Sequence, residues 1–244
     1  MRNTFVLMRR EFGGYFTTPV AYVFIVVFLA LIGFLTFQLG NFYESEQADL
    51  RPFFDFHPWV YLFLVPAVSM RLWAEERRQG TVELLFTLPI TLGQCVIGKF
   101  LAAWAFIGVA LVLTFPMWIT VNYLGNPDNG VILASYIGSF LMAGAYLAIG
   151  SAISAVTKNQ VIAFVVSVVL CLLFVLAGYP IVQDLLPAGL PQAFYDTMRS
   201  FGFLPHFQSI NTGVLDLRDI TFFGSLIACA LIINAIVLDM KKAS

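Results

Sequence analysis

The chain has 244 residues, 60% of them hydrophobic and only 11% charged, with a formal net charge of −1. So few charged side chains cannot coat a soluble globule of this length, which makes a bilayer the natural solvent. Near-neutral charge offers no surface for nucleic acid, and Cys95, Cys171 and Cys229 lie too far apart for a disulfide framework or a metal-ligand spacing.

At the N-terminus, residues 3–15 place Phe5, Leu7, Met8 and Phe12 along one broad side and Arg2, Arg9, Arg10 and Glu11 mostly on the other. This is the pattern of an amphipathic helix lying in the interface, with a plain positively charged anchor as the alternative. Gly13 and Gly14 allow a sharp bend there, and Pro19 suits the first turn of the helix that follows. No small-residue cleavage site follows the first apolar run, so that run is expected to stay in place as a span.

A crossing helix needs roughly 20 mostly apolar residues. Six runs qualify: 19–39, 58–72, 97–121, 131–154, 161–179 and 220–238. The second is the weakest, bracketed by His57 and Arg71 and carrying Pro66. Pro116 lies inside the third, and both prolines predict bends. Cytoplasmic loops retain Lys and Arg. With the N-terminus inside, Arg2, Arg9, Arg10, Arg71, Arg77, Arg78, Lys99, Lys158, Lys241 and Lys242 are internal, and only Arg51, Arg199 and Arg218 are external. The reading is an all-α polytopic protein of the bacterial inner membrane, with six spans and both termini cytoplasmic. No ionisable residue falls well inside a run, so the proton or cation relay of an ion-coupled carrier is missing and an energy source outside the bilayer is favoured.

Residues 71–99 hold the densest charge in the chain. Glu75 and Arg78 can pair along one helical face, Gly80 offers a break, and Thr81 and Glu83 restart a short helix. Leu84, Leu85, Phe86 and Leu88 form the apolar underside of that helix, and Pro89 ends it. The alternative is a solvated loop that only sets topology. Gly93 to Phe100 imitates a phosphate-binding loop as far as Lys99, then lacks the Ser or Thr that would hold magnesium. Lys99 is better read as a snorkelling anchor.

Further along, Gly144, Ala148 and Ala152, with Gly150 and Ser151 one position off, make a small-residue face for close helix packing, either internal or against another subunit. The connection 157–160, with Lys158, lies on the same side as the 71–99 loop. Between the last two runs stand Pro180, Pro187, Pro191 and Pro205, among apolar pieces too short to cross. They read either as a loop on the headgroups or as re-entrant helices. His57 and His206 stand alone and read as interfacial residues. Trp59, Trp73, Trp104 and Trp118 fit interfacial or packing roles alike.

The run Glu75-Glu76-Arg77-Arg78-Gln79-Gly80-Thr81-Val82-Glu83-Leu84-Leu85-Phe86-Thr87-Leu88-Pro89-Ile90, followed by Gly98-Lys99, resembles the first cytoplasmic loop of ABC-2-type permeases, particularly the gliding-motility and nitrous-oxide-accessory branch. His206-Phe207 and the segment Gly213 to Asp219 are similar to the stretch before the last span in the gliding-motility branch. The resemblance implies a non-catalytic half-transporter that binds no cofactor of its own. Two such chains, or two related ones, would flank a pathway above two copies of an ABC ATPase that holds ATP and Mg. It further implies a coupling helix built from Glu75, Glu76, Arg77, Arg78, Gly80, Thr81, Glu83, Leu84, Leu85 and Pro89, with Lys158 as a second contact and Gly80 and Gly93 as hinges. It also favours an elbow helix bearing Arg9, Arg10 and Glu11, and an external gate of re-entrant helices around the four prolines. The acidic stretch 44–55 is then either a solvated loop or the contact for a periplasmic-facing, membrane-anchored auxiliary subunit. A rival function is a membrane scaffold that uses the same ATPase for mechanical signalling or assembly without moving a solute.

Overall fold

The computed structural model describes residues 2–44, 48–80, 91–179 and 197–241. Every regular element among the described residues is helical: α1 (Arg2–Phe16), α2 (Pro19–Phe34, with a π-helical end Leu35–Leu39), α3 (Arg51–Asp55), α4 (His57–Ser69), α5 (Arg71–Gln79), α6 (Leu92–Val112), α7 (Phe115–Leu124), α8 (Asn129–Val156), α9 (Gln160–Ala177), α10 (Phe203–Asn211) and α11 (Leu217–Met240). The helix starts are written locally. Proline occupies the first turn of α2, α3, α4 and α7, where its missing N–H costs nothing. Asp128, Asn159 and Asp216 accept from the first free amides of α8, α9 and α11, and Thr91 with Gln94 forms a reciprocal capping box at α6.

The core is built around α8, whose apolar window is 72% buried, against 28%, 22% and 17% for α2, α9 and α11. Small residues let neighbours approach it closely. A Cβ on Gly144 would lie 2.8 Å from the Trp104 ring, one on Gly138 would lie 2.6 Å from Ile210, and one on Gly150 would collide with Ser69. The small-residue face is therefore spent on packing within the chain. Polar groups on α8 latch several neighbours where no water competes. Tyr61 and Ser139 share a hydrogen bond of 2.8 Å, Tyr146 donates to the Pro58 carbonyl at 3.0 Å, and Asn234 donates to Ser151 at 2.7 Å. Trp104 stacks on Phe140 at 4.4 Å and donates to its carbonyl.

Among the described residues, five helical stretches are long and apolar enough to cross a membrane: Pro19–Leu39, Leu92–Leu124, Asn129–Val156, Gln160–Ala177 and Leu217–Met240. The remaining sequence run, 58–72, is divided between the 13 residues of α4 and the start of α5. Ser154, near the end of α8, bonds Met70 and the first amides of α5. At the other end, Ser135 donates to Asn211, which donates to Asp55 just before α4. Ser135 and Ser154 are roughly 28 Å apart at about 1.5 Å per residue, so α3, α4 and α5 together run beside nearly the full length of α8. Pro116 acts as expected, since the long third stretch breaks between α6 and α7 just before it.

The bend expected at Gly13 and Gly14 lies elsewhere: both sit inside α1, and the turn comes at Thr17 and Thr18. Their hydroxyls donate to the Gly14 and Tyr15 carbonyls at 2.8 and 3.0 Å, satisfying the end of α1. Phe5 is exposed, whereas Leu7 on the packed side is buried against α6.

Gly150→Leu should therefore lower the unfolding midpoint in detergent by the equivalent of about 1–3 kcal/mol through overpacking. Gly93→Ala, which enters open space in the first turn of α6, should leave stability within about 0.5 kcal/mol or raise it.

Candidate functional site

The segment RLWAEERRQ forms α5 because Leu72, Trp73 and Ala74 turn into the bundle while Arg77 and Arg78 occupy the last turn, where the helix dipole favours cations. Gly80 ends it in the left-handed conformation at φ 70°, and its N–H returns to the Glu76 carbonyl. The break expected at Gly80 is thus present, and its form explains why glycine stands there. No side chain on α5 itself caps its start. Ser154 of α8 takes the Trp73 and Ala74 amides at 3.1 and 3.0 Å and donates to the Met70 carbonyl at 2.8 Å. Arg77 donates to the Ala155 carbonyl at 2.6 Å and Lys241 to the Val156 carbonyl at 2.6 Å, so two cations close the C-terminal end of α8. Glu75 accepts from Gln79 and from Gln160 at the start of α9. That replaces the expected pairing of Glu75 with Arg78, whose side chain is exposed.

Beside this lever lies a buried ion cluster. Lys99 is only 4% exposed, and its ammonium lies 2.6 Å from Glu76 Oε1, 3.0 Å from Glu11 Oε2 and 5.5 Å from the centre of the Trp73 ring. The snorkelling role expected of Lys99 does not hold: the residue lies on the face of α6 covered by α1 and α5, and it reaches carboxylates rather than water. Burial raises the Glu76 carboxyl above its usual range, and the attraction of Lys99 offsets part of that rise. Tyr15 stacks on Phe106 at 4.9 Å, which holds α1 flat against α6. The three residues expected on the elbow therefore divide, with Glu11 half-buried in the cluster and Arg9 and Arg10 exposed. Gly93 to Lys99 are the opening turns of a capped helix, the wrong geometry for a phosphate loop.

Glu75, Glu76, Arg77, Arg78, Gly80 and Lys158 are thereby gathered at one end of the bundle, with Arg78 and Lys158 on its surface. Thr81, Glu83, Leu84, Leu85 and Pro89 fall outside the described residues, as do Pro180, Pro187 and Pro191.

At the opposite end, Pro205 lies in α10, which is buried against α8, and a Cβ on Gly178 at the end of α9 would collide with the proline ring. His206 departs from the lone interfacial residue expected. Its Nδ1 lies 2.6 Å from Asp219 Oδ1, its Nε2 donates to the Ser200 carbonyl at 2.9 Å, and its ring stacks on Phe222 at 4.0 Å. Arg199, Arg218 and Asp216 line an open cavity of about 400 Å³ beside this pair. The signal missed was Asp219 in the first turn of α11, where the dipole of the helix favours a carboxylate even at a buried position. His57 is also buried, donating to the Phe53 carbonyl at 3.0 Å among Phe28, Phe54 and Tyr61.

In a comparison with known families, the sequence model described as "ABC-2 family transporter protein" matches residues 11–238, nearly the whole chain. No curated protein matches.

Breaking the ion cluster from either side should be costly. Lys99→Met is expected to lower unfolding stability in detergent by about 3 kcal/mol, because two partly buried carboxylates lose the ammonium between them. In a double-mutant cycle, Glu76→Gln should recover at least about 1 kcal/mol of that loss. Glu76→Lys, which puts two ammonium groups in one buried site, should prevent folding rather than merely uncouple a partner.

Proposed function

The chain belongs to the ABC-2 transporter family, and on that premise we propose that it is the membrane-spanning permease subunit of a transporter driven by a separate ABC ATPase. The observation that carries this reading is mechanical. A short helix with an exposed basic end, α5, is bonded to the end of α8 through Ser154 and Arg77, and to α1 and α6 through the Lys99 cluster. A push on Arg78 would reach the central helix through these bonds.

In this reading α1 is the elbow helix, α5 and the residues that follow it form the coupling element, and the end of the bundle that carries both faces the cytoplasm. Six crossings follow, with α4 and its flanks completing the second, and both termini are internal. Lys158 adds a second contact for the ATPase. Two ATPase copies, which hold ATP and Mg, would serve two permease chains, the second identical or related. The likeness of residues 75–90 to the gliding-motility and nitrous-oxide-accessory branch supports placing the chain near that branch. α10, carrying Pro205, would form one arm of an external gate, and the exposed pair Arg51 and Asp49, 3.4 Å apart, lies where an auxiliary subunit would meet the outer face.

Arg78→Glu and Lys158→Glu change only exposed side chains, so insertion and unfolding midpoint should remain those of the wild type. Stimulation of the co-purified ATPase should fall several-fold in each and further in the double variant. Stimulation equal to wild type in the double variant would contradict the coupling role. Reconstituted vesicles that turn over ATP without moving any solute would replace the transport reading with that of a scaffold.

A further inference from the structure

A cavity of about 610 Å³ opens between α2 and α4 beneath α1, within the roughly 300–1,000 Å³ typical of small-molecule sites. It is a wedge. α2 and α4 meet at Phe28, whose ring stacks on Tyr61 at 5.9 Å and lies 6.1 Å from His57. From that contact the cavity extends toward the end that carries α1 and α5, where Arg10, Arg71 and Glu75 line it. The walls are apolar, with Val20, Val23 and Val27 from α2 facing Leu64, Ala67 and Val68 from α4. The mouth is charged, and its charges are not alike. Lys99 is occupied by Glu11 and Glu76, and Glu75 is occupied by Gln79 and Gln160. Arg10 and Arg71 also line the cavity and are exposed, and Arg10 stands near enough to Glu76 for its charge to favour that carboxylate.

We propose that this wedge is a binding site for one anionic phospholipid, its phosphate held between Arg10 and Arg71 and an acyl chain lying between α2 and α4. Two guanidinium groups at the rim suit a phosphate, which accepts several hydrogen bonds from each. An apolar slot about 10 Å deep along α2, from Val20 to Val27 at about 1.5 Å per residue, suits a hydrocarbon chain. The rim stands at the start of α2 and the end of α4, the level at which a spanning helix meets headgroups, and the leaflet facing basic residues is the one rich in anionic lipid. The inference rests on the membrane placement of α2 and α4 proposed above but needs no ATPase. Its test and the test of coupling can therefore fail separately.

Native mass spectrometry of the purified full-length chain, released from detergent, reads the site directly. Titration with phosphatidylglycerol should give one retained lipid, bound roughly tenfold more tightly than phosphatidylcholine of the same chain length. Arg10→Gln with Arg71→Gln should remove that preference while leaving weak binding of both lipids. Ala67→Trp, which fills the slot and leaves the arginines in place, should weaken both lipids. Inorganic phosphate should neither bind at comparable concentration nor displace the lipid. Equal binding of the two lipids by the wild type would overturn the proposal, as would a preference that survives the double substitution, binding unaffected by Ala67→Trp, displacement by inorganic phosphate, or a dimer of the chain that excludes lipid.

Discussion

The ammonium of Lys99 is buried in a protein whose surroundings are hydrocarbon, and an unpaired cation there costs several kcal/mol, on the order of a small domain's whole stability. It is tolerated because Glu11 comes from α1 and Glu76 from α5. Those two helices are short and amphipathic, and neither would be stable alone in water. The paired charge thus does for the surface helices what apolar burial does for the spans. It also fixes their position relative to α6, since a carboxylate must lie within a few ångströms of the nitrogen for the burial of Lys99 to be offset. Rigidity at this end of the bundle follows from electrostatics in a low dielectric, where breaking one pair leaves the remaining buried charges with less compensation.

The remainder of the structure is organised around α8. Its glycines admit Trp104, Ile210 and Ser69 at close range, and its hydroxyl groups hold α4, α5, α10 and α11 through hydrogen bonds. At one end, Ser154 and the carbonyls of Ala155 and Val156 receive α5 and the end of α11. At the other end, Ser135 connects through Asn211 to Asp55. A displacement of α5 therefore acts on the one helix that touches most of the others. The outer helices α2, α9 and α11 leave most of their apolar surface uncovered within the chain.

Much of this was legible in the residues. Five of the six apolar runs fall on helices long enough to cross a membrane, with ends within about five positions, because a bilayer demands about the same length of every crossing. Gly80 marked the end of α5, and Pro116 marked the break before α7. What could not be read was pairing across distance. Lys99 looked like an anchor because its partners stand on separate helices far away in sequence, and no local pattern brings Glu11 to it. His206 and Asp219 looked independent for the same reason. Gly13 and Gly14 misled in another way: glycine permits a bend but does not impose one, and the packing of Leu7 and Tyr15 along α6 keeps α1 straight past them. The run 58–72 does not form one helix of crossing length because it is divided between α4 and the start of α5. Of the proposed coupling residues that are described, Glu75, Glu76 and Arg77 are engaged with neighbouring helices, while the Arg78 and Lys158 side chains are exposed.

The account depends on α5 meeting an ATP-hydrolysing subunit at its exposed end. A photo-crosslinking amino acid placed at position 78 of the full chain, activated in intact membranes, tests this most directly. The account predicts one adduct with the co-expressed ATPase, formed from the cytoplasmic side and changed in yield when a non-hydrolysable ATP analogue is added. An adduct formed only with proteins outside the cytoplasm, or none with the ATPase while the complex remains assembled, would contradict it.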